Sequence, residues 1–363
     1  MKKICLYAIL GIIICGYWNN LQAKPSLRIQ DVRLDRKVLD LNQQDGVNLE
    51  FKLTDNADVK IYWYDWFGNL VKTSSLASLE AGIHNINWDC RGDDGRVVAG
   101  DVFLYVIEAK NGARSFTYNT VKETGGIKTN AIKFNFNKNT GEIEYVLPKA
   151  CMIRIYGGLN NNMFASNILP WTPQSSGRHH ITWDGKDDKG LMNLLKHKDV
   201  RTYLRCYTLP DNCLIVKGSK ILTNAGEDDL SKRKEIWQTE GKDKHYNCNP
   251  DYCRRIIPIE ISFPSSGIDS KGYIHTKTPL IPVKVEVSSV DAEYLTKIRF
   301  EAELYVDGIL VQEVKDALIP MTFLVDENKI GSGSHVITVN LKDYQMHIAI
   351  ESCKIIVGEK NGK

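Results

Sequence analysis

The chain has 363 residues, 43% of them hydrophobic and 25% charged. That is ordinary globular composition, and the length suits two or three domains, each with its own core. The formal charge is +3, falling to +1 once Lys2 and Lys3 are removed with a leader, so charge gives no case for a nucleic-acid or anionic-lipid partner.

Met1 to Ala23 reads as a secretory signal peptide. Lys2 and Lys3 form its positive end, Ile4 to Cys15 its apolar core, and Leu21-Gln22-Ala23 a cleavage site. The apolar run is roughly 12 residues, against the ~20 needed to span a bilayer. Ile14 precedes Cys15, where lipid attachment requires a small residue. No later stretch is apolar enough to cross a membrane. The expectation is an exported protein, periplasmic or extracellular, whose mature chain begins near Lys24. Mass spectrometry of exported material should find residues 1–23 gone, and an intact Met1 would contradict this.

From Leu27 the pattern is that of β-strands. Val47, Leu49, Phe51 and Leu53 alternate with polar residues, and Val59, Ile61 and Trp63 make the next strand. Turn signals recur every eight to twelve residues or so, as a β-sandwich requires. His84, Ile86 and Trp88 then alternate with Asn85 and Asn87, a turn rich in Asp and Gly follows, and Val102 to Ile107 forms an apolar run. The stretch returns further along as Ser176 to Gly190. Gly82, His84, Trp88, Asp89, Asp93 and Gly95 recur as Gly177, His179, Trp183, Asp184, Asp188 and Gly190, at a constant offset of 95. Upstream, Ile143, Tyr145 and Leu147 answer Leu49, Phe51 and Leu53 at an offset of 94, and Ile153 and Ile155 answer Val59 and Ile61. Self-similarity over that span means a duplicated structural unit.

The run from Ala81 to Tyr105 resembles the FlgD-like immunoglobulin-fold module, at Ala81, Gly82, His84, Trp88, Asp89, Asp93, Gly95, Ala99 and Gly100. It departs at Cys90, where that family has Gly. The second copy follows the pattern through Gly190, then loses the Ala-x-Gly step. The resemblance implies a fold and a role in assembling larger structures, as in hook-cap proteins. The leader and the tandem modules set this chain apart from the flagellar hook cap itself.

Residues 224–274 break the pattern. Gly226 to Lys244 is dense in charge and poor in apolar residues, and Pro250, Pro258 and Pro264 continue the loop character. From His275 strands resume, with Val283, Val285 and Val287, then Ile298 to Val306 ending at Asp307-Gly308, a hairpin signal. Lys297 to Tyr305 reads either as an edge strand open to pairing or as a central strand whose charges face water. No third copy of the repeated turn is present. The expected organisation is all-β: signal peptide 1–23, FlgD-like sandwiches at 24–125 and 126–223, a charged linker at 224–274, and an immunoglobulin-like sandwich at 275–363.

The candidate sites read mainly as structural. Asp89, Asp93 and Asp94, with Asp184, Asp187 and Asp188, lack the alternate spacing and distal Glu of a calcium loop. Turn-capping carboxylates are the expectation. His84 and His179 have no nucleophile or carboxylate motif beside them to complete a triad. His245, Cys248 and Cys253 lack the second close pair that zinc prefers. Of nine cysteines, seven follow the leader. In an exported protein Cys206 with Cys213 and Cys248 with Cys253 are disulfide candidates, and buried thiols are the alternative. No catalytic, cofactor or metal residue is assigned. The expected role is a non-catalytic accessory or scaffold protein that binds other subunits of an extracytoplasmic complex. The alternative is a cell-envelope glycan-binding protein with Trp66, Phe67 and Trp171 as stacking faces.

Overall fold

The computed structural model describes residues 26–43, 46–66, 68–124, 132–218, 257–264, 266–268, 274–276, 279–343 and 348–358. The expected leader, Phe67, His245, Cys248 and Cys253 lie outside these, as does most of the expected linker. The described chain is built of β-sheets, as the alternating patterns predict.

The first sandwich contains β1 (Ile29–Leu34), β2 (Val38–Asp40), β3 (Val47–Leu53), β4 (Ala57–Tyr64), β5 (Leu70–Leu79), β6 (Gly82–Trp88), β7 (Val102–Asn111) and β8 (Arg114–Asn119). One sheet runs β1-β3-β6. Its inward side chains Val47, Leu49, Phe51 and Leu53 meet Val59, Ile61 and Trp63 from β4 in one buried core. In the facing sheet β4 lies between β5 and β7.

The second sandwich contains β9 (Lys133–Asn137), β10 (Glu142–Leu147), β11 (Cys151–Leu159), β12 (Phe164–Gln174), β13 (Gly177–Thr182) and β14 (Val200–Thr208). Its sheets run β13-β10-β9 and β12-β11-β14. The strand that follows, β15 (Leu214–Lys217), does not stay with it. β15 returns to the first sandwich, pairing parallel with β2 and antiparallel with β7 at Val102 and Phe103. The sequence places this strand inside 126–223; its hydrogen bonds place it in the sheet of the first module. Leu214 and Val216 enter the first core, and Ile215 on the opposite face enters a junction cluster with Tyr64, Trp66, Met152 and Tyr207. A strand buried on both faces reads as a continuous apolar run rather than an alternation, and Leu-Ile-Val is one. Leu214→Ala should therefore cost about 2–3 kcal/mol and lower the melting of the first sandwich, although Leu214 follows the second in sequence. Melting of the second sandwich alone would contradict this pairing.

The third sandwich contains β16 (Glu260–Ser262), β17 (Gly267–Ile268), β18 (Ile274–Thr276), β19 (Leu280–Glu286), β20 (Phe300–Val306), β21 (Ile309–Val314), β22 (Met321–Asp326), β23 (Gly333–Asp343) and β24 (Ile348–Val357). Its sheets run β16-β19-β22 and β17-β18-β24-β23-β20-β21. Asp307 and Gly308 both have positive φ, 49° and 83°, the geometry of the two-residue hairpin expected from Asp-Gly. β20 is central, paired with β21 and β23, so Lys297 to Tyr305 is not a free edge. Glu303 on it is buried rather than facing water. Ile257, Ile259 and Phe263, which the prolines around them assign to a linker, are buried in the third core.

Candidate functional site

The repeated turn is the most distinctive stretch of the chain, and both occurrences use the same bonds. The ring nitrogen Nε1 of Trp88 donates to the Arg91 carbonyl at 3.0 Å, and that of Trp183 to the Lys186 carbonyl at 2.9 Å. Asp89 accepts from the Arg91 amide at 3.1 Å, and Asp184 from the Lys186 amide at 3.0 Å. The Lys186 amide holds the Asp184 carboxyl below the usual carboxylate range. Gly95 and Gly190 sit at φ of 77° and 70°, where a side chain would be strained.

The second aspartate of each turn reaches across to the opposite sheet. Asp93 accepts from the Thr73 amide on β5 at 3.1 Å, and its own amide donates to the Val71 carbonyl at 2.9 Å. Asp188 accepts from the Asn167 amide on β12 at 2.8 Å and from the Ser166 hydroxyl at 3.1 Å, and its amide donates to the Ala165 carbonyl. Each carboxylate thus ties one sheet of its sandwich to an edge strand of the other. His84 and His179 each hydrogen-bond through Nε2 to the backbone carbonyl four residues earlier, at 2.8 Å. His179 also stacks on Tyr145 with ring centroids 5.3 Å apart. Gly82 and Gly177 open strands β6 and β13 with φ of 140° and 122°. The residues that look reactive in the sequence are engaged in bonds within their own sandwiches.

The five cysteines among the described residues are thiols. Cys206 and Cys213, expected to face each other, lie unbridged in different cores. Cys206 packs inside the second sandwich, and Cys213 in the junction with the first. The chain between them leaves one sandwich for the other, so the hairpin that would pair them does not form. Burial pushes the thiols of Cys90, Cys213 and Cys353 up to about 12. The hydrogen bond with Cys151, with burial, pushes Cys206 up as well. Because the thiolate is the reactive form, these four cysteines should resist alkylation at about pH 8 in the folded protein and react after denaturation. Labelling of Cys90, Cys206 or Cys213 in the native state would contradict their burial.

Of the aromatic candidates for sugar stacking, Trp66 is buried and Trp171 partly buried, and Phe67 lies outside the described residues. Trp63 is 2% and Trp66 0% exposed, and Trp171 packs against the junction cluster. Among the described residues one group of carboxylates comes close enough to share a cation: Glu301, Glu303 and Glu313. Glu303 is already bonded by the Tyr305 hydroxyl at 2.5 Å and by the Lys342 ammonium.

The junction between the second and third sandwiches is polar and was not legible in the sequence. The Asn340 side chain, fully buried, accepts from the Phe164 amide and donates to the Phe164 carbonyl, both at 2.8 Å. It thereby hydrogen-bonds the edge strand β12 as another strand would. Asn161 donates to the Gly308 carbonyl at 2.8 Å, and Lys189 pairs with Glu351 at 3.0 Å. Arg154, 2% exposed, lies over the Tyr156 ring at 4.2 Å and donates to the Ile348 carbonyl at 3.4 Å.

Residues 37–113 match the family model of the FlgD Ig-like domain. No curated protein matches the chain. Solved structures with similarity include the fibronectin(III)-like modules of Clostridium thermocellum CbhA, at 10% identity over 92% of this chain and 98% of that one, TM-score 0.22. A tetra-tandem repeat from the extending region of a large adhesion protein matches at 11% identity over 92% and 75%, TM-score 0.21. A 1.5-MDa bacterial ice-binding adhesin matches at 10% identity over 92% and 100%, TM-score 0.19. Similarities this slight say nothing about role.

Proposed function

We propose that this chain is a non-catalytic, exported structural protein that binds other polypeptides and promotes assembly of a larger extracytoplasmic complex, as scaffold or as accessory subunit of an exported enzyme or filament. On this reading residues 132–208 are a second module of the FlgD-like kind, distinct in setting from the hook cap. One observation carries it: the His, Trp and Asp side chains of both repeated turns are held by intramodule bonds. Conserving a turn's geometry in two copies serves a framework. The shared strand β15 and the Asn340 clip support the same view, since they join successive modules through buried contacts. The glycan-binding alternative is weakened by the burial of Trp66.

Chemical cross-linking of the exported protein in its native compartment, followed by mass spectrometry, tests the proposal. The expected result is recovery in fixed proportion with other exported polypeptides. Recovery only as an uncomplexed chain would overturn it.

A further inference from the structure

The two repeated sandwiches differ at one edge. In the first, β4 pairs with β7, with Val59 opposite Ala109; in the second, β11 pairs with β14, with Ile153 opposite Cys206. Since Ile153 answers Val59, β14 is the counterpart of β7. The outer edge of β7 is filled, by β15 at Val102–Phe103 and by β8 from Val106 to Asn111. The outer edge of β14 carries no strand among the described residues.

A groove of about 370 Å³ opens beside that edge, between β14 and the edge strand β9 of the opposite sheet. Half-buried Phe134 and Phe136 line it, with Lys138, Lys198 and Arg201 exposed around it and Asp199 its one carboxylate. Thr202 lines it too, and its hydroxyl is buried without a hydrogen-bond partner. In the first sandwich the counterpart of Thr202 is Tyr105, whose amide and carbonyl are both bonded by the Thr120 hydroxyl. The first module thus fills the backbone edge of β7 from its own chain, and among the described residues β14 has no such partner strand.

We propose that the outer edge of β14 from Val200 to Cys206, with its groove, receives an extended acidic strand of a partner polypeptide. This rests on the assembly role proposed above and names its attachment site. An edge strand offers unpaired backbone donors and acceptors, and a peptide can add to it while alternate side chains fill a neighbouring pocket. Apolar side chains of the added strand meet Phe134 and Phe136. Its carboxylates meet Lys138, Lys198 and Arg201, three cations against one acid, which sets the partner's charge. The third sandwich's edge strand β21 is a poorer acceptor, because a bulge between its Leu310 and Gln312 pairings interrupts the ladder.

The test uses the mature full-length protein and two labelled, acetylated peptides: one alternating valine with glutamate, the other valine with lysine. The expected result is that fluorescence anisotropy shows binding of the acidic peptide only. Hydrogen exchange then slows at residues 200–206. The exposed triple variant Lys138→Glu/Lys198→Glu/Arg201→Glu melts like wild type and binds the acidic peptide at least about ten-fold more weakly. If the triple variant does not fold, Arg201→Glu alone must show a weakening in the same direction. Absence of acidic-peptide binding, equal binding of both peptides, protection elsewhere in the chain, or preference for a polyuronate oligosaccharide would each overturn the proposal. Cross-linked complexes that persist undiminished in the triple variant would overturn this site and leave the assembly role standing. Absence of complexes with the wild-type chain would remove the role itself.

Discussion

Replacing Trp88 with Ala is expected to destabilise the first sandwich by about 3–5 kcal/mol, the cost of emptying a large aromatic from a core. Trp88 is 3% exposed. Its ring stacks on Trp63 with centroids 4.3 Å apart and meets Phe103 edge-on at 5.2 Å. Such pairs add to simple burial. Trp183→Ala should cost a similar amount in the second sandwich, with a different neighbour exposed. The counterpart of Trp63 there is Gly157, where a Cβ would lie 2.6 Å from the Trp183 ring. The second module thus replaces an aromatic pair by one ring lying against bare backbone, and Gly157→Ala should push that ring out of place. Thermal unfolding followed by tryptophan fluorescence reads all three variants. A Trp88→Ala protein that melts like wild type would mean that the repeated Trp serves binding rather than the core.

Lys342→Met is expected to cost about 3–5 kcal/mol, as removal of one partner from a buried ion pair does. Lys342 and Glu303 side chains are 7% and 8% exposed and pair directly. The Lys342 ammonium also donates to the Asn162 carbonyl at 3.4 Å and sits 5.7 Å from the Phe164 ring. Without it, Glu303 would keep its Tyr305 bond yet lose its own cation beside Glu301 and Glu313, while the exposed Lys315 pairs with Glu313 at 3.7 Å. The double variant Lys342→Met/Glu303→Leu should recover most of the loss, because apolar replacement of both partners is often neutral. Equal losses in the single and double variants would show that the charge pair contributes nothing at this junction.

The strands were legible because one face of each sheet is buried and the side-chain period is two. Val47 to Leu53 and Ile298 to Val306 announce themselves this way. The hairpin at Asp307-Gly308 was legible because only residues that tolerate positive φ fit it. The junctions were not. Asn340 and Lys342 occupy positions in β23 that the alternation assigns to water, and only the neighbouring sandwich makes them interior. β15 was hidden for a related reason: four residues carry no record of which sheet they join. Prolines at 258 and 264 masked Ile257, Ile259 and Phe263 as loop. Of the candidate site, the sequence suggested turn-capping aspartates, and Asp89 and Asp184 are such caps; it could not show that Asp93 and Asp188 instead fasten an edge strand of the other sheet.

Deleting residues 275–363 would remove contacts that belong to the second sandwich. Tyr305 packs in the second sandwich's core, and Phe164 loses both Asn340 bonds when the third sandwich goes. Truncation should therefore weaken the second module itself.

The central claim is that the repeated signature builds modules and that attachment happens elsewhere. The most direct measurement is thermal melting together with cross-linked complex formation for the variant Asp93→Ala/Asp188→Ala. The expected result is a lowered melting temperature, from loss of the Thr73 and Asn167 amide bonds, with complexes still formed at temperatures where the variant is folded. Unchanged melting with complexes abolished would contradict the account and make the aspartates themselves the binding residues.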